Sequence, residues 1–238
     1  MSVEDFRDLH HGRAPEDPLV LPGPWDAAGA RVLADAGFPA LATPSAAVAA
    51  SLGYEDGRTP PDEMFAAIAR IVRAVDVPVS ADVEAGYGLP ARELVARVLE
   101  TGAVGINLED SGPGGTLVDP RRQADRLAEV RAEAGDALFV NARVDTFLRG
   151  VPGPGAAIER ARLYVAAGAD CVYPIAAPAD ALARLRREVA GPINALKSPG
   201  GPSVPALGGL GATRVTFGPG LLLRTLDVLH ECAAELRG

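Results

Sequence analysis

Residues 77–88 read VPVSADVEAGYG, and the order of residue types in this stretch decides the fold prediction. A short apolar run comes first, two carboxylates at Asp82 and Glu84 follow, and a glycine-rich turn ends the stretch. An amphipathic segment then begins at Pro90 and extends to residue 100. A buried strand, a turn and a helix in this order are typical of parallel strands that crossover helices connect.

The same order recurs along the whole chain. Short runs rich in Val, Ile and Leu predict eight strands, at residues 19–23, 40–44, 77–83, 105–109, 138–144, 171–175, 192–196 and 214–218. Amphipathic segments predict helices at 62–75, 90–100, 120–133, 156–167 and 221–237, and glycines at 37, 102, 168 and 211 suit the left-handed conformation that ends a helix. Eight such units in 238 residues predict one α/β domain, residues 1–238, folded as a (β/α)8 TIM barrel.

The composition restricts the class of partner. With 48% hydrophobic residues the chain can bury a large core, and its net charge of −8 argues against nucleic acid and anionic membranes as partners. No apolar run approaches the roughly 20 residues that span a bilayer. The two cysteines, Cys171 and Cys232, lie far apart and are typical of reduced thiols. We therefore expect a cytoplasmic protein that handles a small molecule.

Acidic residues gather at the predicted strand ends, where barrels of this kind carry their catalytic groups. Asp82 and Glu84 share one face of the third strand, Glu109 ends the fourth, and Asp56 lies in the loop after the second. Carboxylates this close repel one another unless a cation lies between them. Because these ends offer oxygen ligands and no His or Cys, they predict Mg²⁺, with Mn²⁺ as an alternative. The neighbouring Asp110 is more typical of a helix cap or an arginine partner.

Two further features suit an anionic ligand. The fifth strand places Arg143 inside the barrel mouth on the same face as Asp145, and a planar guanidinium fits a carboxylate or phosphonate. An internal salt bridge from Arg143 to Asp145 or Glu109 is the alternative. The stretch 43–46 offers hydroxyls and backbone N–H groups just before a helix, which is a suitable site for a carboxylate.

Together these residues resemble the isocitrate lyase and phosphoenolpyruvate mutase superfamily over nearly the whole chain. The most specific part is residues 82–88, DVEAGYG, which is similar to the family's D-x-D-x-G-[FY]-G metal motif with Glu84 in place of the second aspartate. Residues 51–56, 108–110 and 142–145 are supporting matches.

The resemblance implies a set of site residues. Asp82 would ligate Mg²⁺ directly, while Asp56, Glu84 and Glu109 would hold its water molecules. The other implied contacts are with the substrate. Thr43, Ser45 and the Ala46 amide would bind the 2-oxo acid carboxylate. Arg143 would bind one end of the substrate, and Asn194 in the seventh strand would also contact it. The catalytic residues would be Arg143, Glu109 and Asp56.

The loop after the fourth strand departs from the family pattern. The lyases carry a Lys-x-Cys-[GS]-His motif there and the mutases a lysine and an asparagine, whereas residues 111–119 read SGPGGTLVD and hold none of the three lyase residues. A missing cysteine removes the acid that protonates the departing fragment in the lyases. We call residues 111–119 the gate loop.

The predicted function is a Mg²⁺-dependent carbon–carbon lyase that acts next to a 2-oxo acid through a pyruvate-type enolate, as in oxaloacetate decarboxylation or the cleavage of a related 2-oxo or 2-hydroxy diacid. One alternative is carbon–phosphorus chemistry, as in a phosphonopyruvate hydrolase or phosphonomutase. Another is a protein that binds a 2-oxo acid without turnover. The resemblance also implies a homo-oligomer, a dimer or tetramer, in which helix 221–237 can be exchanged between subunits.

Overall fold

The computed structural model describes residues 2–237, in which eight strands alternate with helices. The strands are β1 Leu19–Val20, β2 Leu41–Ala42, β3 Val79–Asp82, β4 Gly105–Glu109, β5 Phe139–Val144, β6 Cys171–Pro174, β7 Asn194–Leu196 and β8 Arg214–Thr216. The helices are α1 Val3–Asp8, α2 Ala27–Asp35, α3 Ser45–Leu52, α4 Pro61–Val72, α5 Ala91–Thr101, α6 Pro120–Ala134, α7 Gly155–Ala166, α8 Ala179–Glu188, α9 Val204–Gly209 and α10 Gly220–Arg237.

All strand pairs are parallel, and the strands follow one another around a barrel. One set is hydrogen-bonded in the order β2-β3-β4-β5-β6 and the other in the order β1-β8-β7. Backbone bonds connect the two sets, from Ala42 N to Pro22 O at 3.1 Å and from Val172 N to Pro192 O at 3.2 Å. The predicted barrel and its eight strand positions are confirmed.

Prolines shorten several of the predicted strands. Pro22, Pro44, Pro78 and Pro192 lie within the predicted runs, at positions where the observed strands have already ended or not yet begun. A proline has no N–H and cannot donate to the neighbouring strand, so the ladder ends close to it. The four glycines predicted to end helices all have positive φ, from +81° at Gly102 to +105° at Gly211.

Side-chain alternation divides each strand between the outer core and the barrel interior. Outward residues such as Val79, Ile106 and Val140 pack against the helices in the main apolar core. At the floor of the barrel, Phe6 of α1 meets the Phe139 ring edge-on at 5.2 Å, and His10 stacks on Phe139 at 4.2 Å. The floor is therefore closed by packed rings, and the opposite end of the barrel forms the mouth.

The last helix is packed differently from the others. In α10, Leu222 is buried, whereas Leu223, Val228, Leu229 and Leu236 are 53%, 57%, 61% and 88% exposed. Apolar side chains at this exposure form an uncovered face. Within residues 2–237, no helix combines the length and apolar character that crossing a bilayer requires.

Candidate active site

The end of β3 is built on an unusual backbone. Two tight turns follow Asp82, closed by bonds from Gly86 N to Val83 O at 2.8 Å and from Leu89 N to Gly86 O at 3.0 Å. Within them Glu84 and Tyr87 have φ of +51° and +56°, a region that residues other than glycine rarely adopt. Glu84 therefore leaves the strand in a left-handed turn, and the predicted strand alternation does not describe its position. Such a conformation persists only where the surrounding contacts impose it, which is typical of functional sites.

Asp82 is held in place by the loop after β2. Its N–H donates to Thr43 Oγ1 at 3.1 Å, and its Oδ2 accepts from the Ser45 hydroxyl at 3.0 Å. Its Oδ1 accepts from the Glu84 N–H at 3.2 Å. Ser45 and Ala46 open α3, where the first amides of a helix have no intrahelical acceptor. The two hydroxyls predicted to meet a substrate carboxylate therefore orient Asp82 in this structure.

Asp82, Glu84, Asp56 and Glu109 form what we call the acid cluster. Burial raises the pKa of Glu84 to about 7, and the charges of Asp82 and Asp56 add to this effect. Partial burial of the carboxyl group, followed by the charge of Asp82, also raises the pKa of Asp56, although the residue as a whole is exposed in its loop. One oxygen of Glu84, Oε1, is buried and has no hydrogen-bond partner among the described residues. These carboxylates interact closely enough that a cation among them would stabilise their charged forms.

The spacing of the cluster restricts how a metal could be held. Among residues 2–237, no three His, Cys, Asp or Glu side chains lie close enough together to hold an ion. An ion here would therefore have few direct carboxylate ligands and several waters, which is the coordination that Mg²⁺ prefers.

Arg143 lies beside the cluster and is already paired. Its Nε and Nη2 donate to Asp145 Oδ1 and Oδ2 at 2.6 and 3.1 Å, and its Nη1 lies 2.7 Å from Glu109 Oε2. The internal salt bridges weighed as an alternative are thus present. Burial opposes the charge of Arg143, but Glu109, Asp82 and Asp145 overcome it and raise its pKa. Burial also raises the pKa of Glu109 to about 8 despite the nearby guanidinium.

Hydrogen bonds of Ser111 connect the gate loop to Asp145, the partner of Arg143, and to Arg149, and the sequence did not predict Ser111 or Arg149 to be part of the site. The Ser111 hydroxyl donates to Asp145 Oδ2 at 2.6 Å and accepts from Arg149 Nε at 3.1 Å. Arg149 Nη2 lies 3.8 Å from Asp145 Oδ2. The spacing of four residues between Asp145 and Arg149 is the only sequence signal that could have indicated this pairing.

Two other predicted positions lie deeper in the protein. Asp110 is fully buried and accepts from Tyr164 OH at 2.7 Å and from Arg160 Nη1 at 2.9 Å, so it has the arginine partner expected of it. Asn194 is also fully buried, and its Oδ1 accepts from Thr216 Oγ1 at 3.2 Å. Its Nδ2 has no protein partner among the described residues. Asn194 therefore lies inside the barrel, on the β7 strand, with an unused donor.

Comparisons with known proteins identify relatives along most of the chain. A family model described as phosphoenolpyruvate phosphomutase matches residues 6–237. The uncharacterized protein Rv1998c of Mycobacterium tuberculosis is 37% identical over 215 residues, which cover 90% of this chain and 81% of that protein. The 2-methylisocitrate lyase of Bacillus subtilis is 32% identical over 175 residues, covering 69% of this chain and 57% of the lyase.

Solved structures share the fold. A provisionally assigned phosphonomutase from Burkholderia cenocepacia J2315 superposes with a TM-score of 0.91 at 36% identity, covering 98% of this chain and 97% of the other. A 2,3-dimethylmalate lyase, described as a member of the PEP mutase/isocitrate lyase superfamily, gives a TM-score of 0.86 at 26% identity, covering 99% of this chain and 87% of the other.

Proposed function

Because this chain belongs to the phosphoenolpyruvate mutase family, within the PEP mutase/isocitrate lyase superfamily, we propose that it is a Mg²⁺-dependent lyase that cleaves a carbon–carbon bond next to a 2-oxo acid. The observation that carries the proposal is the acid cluster beside Arg143. It combines carboxylates of raised pKa, the partnerless Oε1 of Glu84 and a guanidinium. The 2-methylisocitrate lyases among the relatives support the choice of a lyase.

The residues present fit a hard divalent ion. The donors are carboxylate oxygens, and the buried Oε1 of Glu84 lacks the partner that a buried polar atom normally has. In the proposal Asp82 holds Mg²⁺, or Mn²⁺, directly, and Asp56, Glu84 and Glu109 hold its waters. When bound, the ion supplies electrostatic stabilisation of negative charge developing on a 2-oxo acid oxygen.

The protein groups around the ion have separate tasks. The Ala46 amide at the start of α3 and the proton of the Thr43 hydroxyl, whose oxygen accepts from Asp82 N–H, orient the 2-oxo acid carboxylate. Ser45 supports this carboxylate site through its hydroxyl bond to Asp82. Arg143 has five N–H groups, of which two donate to Asp145 and one on Nη1 faces Glu109, so two remain for the substrate. Asn194 directs its unused Nδ2 to the substrate. Glu109, beside Arg143, and Asp56, in the loop after α3, are the groups that would hold or release protons at the mouth.

A turnover assay tests this proposal. The purified chain would be given oxaloacetate and related 2-oxo and 2-hydroxy diacids with Mg²⁺, and the 2-oxo acid product would be measured after subtracting the rate without enzyme. We expect EDTA to abolish the enzymatic rate and Asp82→Asn to lower it about 10²–10³-fold. Asp35→Asn, an exposed acid at the end of α2, is the matched control. An Asp82→Asn variant with the wild-type rate would disprove the proposal.

A second candidate is carbon–phosphorus chemistry. It is favoured by the match to the phosphomutase family model and by the Burkholderia structure. Phosphorus NMR of phosphonopyruvate incubated with the protein would detect a broken or newly formed carbon–phosphorus bond and would decide between the two candidates. Binding of 2-oxo acids without turnover of any substrate would instead identify a binding protein.

We also propose a homo-oligomer in a cytoplasmic setting. The uncovered apolar face of α10, which includes Leu223, Val228 and Leu229, supports exchange of this helix between subunits. Sedimentation of the chain should give a dimer or tetramer, and deletion of α10 should shift it towards the monomer. The two cysteines are free, which agrees with a reducing compartment.

A further inference from the structure

Arg149 occupies a position between the barrel mouth and the gate loop. It lies in the connection from β5 to α7, and its side chain is 34% exposed. Its Nε donates to Ser111 at the start of the gate loop. Gly115, in the middle of that loop, has φ +78°, and a Cβ added there would lie 2.5 Å from Arg149 Nη1. The backbone of the gate loop therefore lies directly against the guanidinium.

Arg149 does not form an ion pair with a carboxylate that it alone contacts. Its acidic neighbour is Asp145, whose two oxygens already accept from Arg143. Of the three guanidinium nitrogens of Arg149, only Nε makes a hydrogen bond with the described residues. Arg149 thus keeps a positive charge and free N–H groups beside the proposed reaction site.

The gate loop itself has no cationic side chain. The chain has a single lysine, Lys197 at the end of β7, and its Nζ donates to the carbonyls of Ser198 at 2.7 Å and Gly201 at 3.2 Å. Lys197 is therefore engaged in its own loop. Arg160 also contacts the gate loop, at Val118 O at 2.8 Å, but it is paired with the buried Asp110. Arg149 is therefore the cation beside the gate loop that keeps N–H groups without a partner among the described residues, and a guanidinium pairs with a carboxylate through parallel N–H groups.

We infer that Arg149 is a specificity-determining residue that binds the second carboxylate of the substrate, so that the site selects diacids over monoacids. This inference rests on the proposed function and names its substrate class. The 2-oxo or 2-hydroxy acid end lies at the acid cluster and α3, and the second carboxylate lies beneath the gate loop.

The test uses two ligands that differ only by that carboxylate. Malate and lactate are titrated by calorimetry, with Mg²⁺ present, into the wild type, Arg149→Met, Arg149→Lys and the control Arg162→Met, which removes a 57% exposed arginine on α7. Wild type and control should prefer malate. Arg149→Met should weaken malate about 10- to 100-fold and leave lactate unchanged, and Arg149→Lys should recover part of the loss.

Three results would overturn the inference: equal affinity of the wild type for both ligands, equal weakening of both in Arg149→Met, or selective loss of malate in Lys197→Met and not in Arg149→Met. The binding result does not depend on turnover. A wild type that prefers malate but converts no diacid would refute the proposed function and leave the role of Arg149 standing.

Discussion

The mouth of the barrel holds a largely buried arginine and the interior beneath it a fully buried one, but only the arginine at the mouth has carboxylate partners. Arg143 at the mouth is paired with Asp145 and Glu109. Arg214 in β8 is fully buried, and no described carboxylate lies within salt-bridge distance of it. Its Nη2 donates to Asn107 Oδ1 at 3.3 Å, while its Nε and Nη1 have no partner among the described residues.

The difference shows that the two layers hold charge for different reasons. At the mouth, five carboxylates, those of the acid cluster and Asp145, face the guanidinium groups of Arg143 and Arg149, and in the proposed function this site receives a cation and an anion together. In the interior, burial lowers the pKa of Arg214, and the charge of Asp82 only partly opposes this effect. Removing one member of a buried ion pair leaves the other charge buried without a partner, which is destabilising. Removing a charge that has no ion-pair partner leaves no charge unpaired.

The largest expected effect is at the mouth. Arg143→Met should lower the free energy of unfolding of the metal-free protein by about 3–5 kcal/mol, because it leaves the buried Asp145 and the partly buried Glu109 without their arginine partner. It should also lower kcat/KM on a 2-oxo diacid by at least about 10-fold, since a charge-assisted hydrogen bond is lost. Urea unfolding and the turnover assay measure the two effects. A fully stable variant would contradict the comparison.

The next effect concerns the floor of the barrel, where burial lowers the pKa of His10 to about 3. The folded pKa lies below the value of about 6.5 expected for an unfolded histidine. The unfolded chain therefore takes up the proton first, so stability should fall as the pH is lowered from about 6.5 towards 3, by at most about 1.4 kcal/mol per pH unit for this group. His10→Asn should flatten the acid limb of the stability curve. Identical pH slopes in both proteins would contradict the expectation.

A smaller effect separates two glycines of the gate loop. Gly114 and Gly115 have φ of +77° and +78°, but only a Cβ at Gly115 would meet Arg149. Alanine at either position should cost about 1–2 kcal/mol in the left-handed region. Gly115→Ala should in addition displace Arg149 and raise KM for a diacid, while Gly114→Ala should not. Equal KM values in the two variants would show that the gate loop does not position Arg149.

The smallest effect is at the interior arginine. Arg214→Met should change the free energy of unfolding by no more than about 1 kcal/mol, because the apolar side chain removes an unpaired buried charge as well as its weak hydrogen bonds. Comparison with Arg143→Met under the same conditions is the measurement. Equal destabilisation of the two variants would show that hidden partners compensate Arg214 as fully as carboxylates compensate Arg143.

The sequence predicted the positions of the strands and much of the candidate site, but it predicted less about how the site is supported. Apolar runs and strand ends indicated Asp82, Glu109 and Arg143, because parallel strands bring their carboxyl ends to one edge. Pairing across the barrel is not local in sequence, so the bond from Ser45 to Asp82 could not be read from either loop alone. Arg214 was inside one of the predicted strands, where alternation allowed an inward position but no nearby acid marked it.

The gate loop also has a contact that its own sequence could not predict. Its lack of Lys, Cys and His was visible in the sequence. The cation beside it, Arg149, comes from a different connection and is brought there by the register of β4 and β5, in which Glu109 pairs with Arg143. A neighbour supplied by another strand cannot be found by comparing one loop with its family pattern.

The central claim is that the acid cluster shares one divalent ion, and metal titration tests it most directly. Mn²⁺ followed by electron paramagnetic resonance, with Mg²⁺ as competitor, should show one site per chain in the wild type. The same site should be lost in Asp82→Asn and kept in Asp35→Asn. A wild type without this site, or an Asp82→Asn variant that binds Mn²⁺ as the wild type does, would contradict the account.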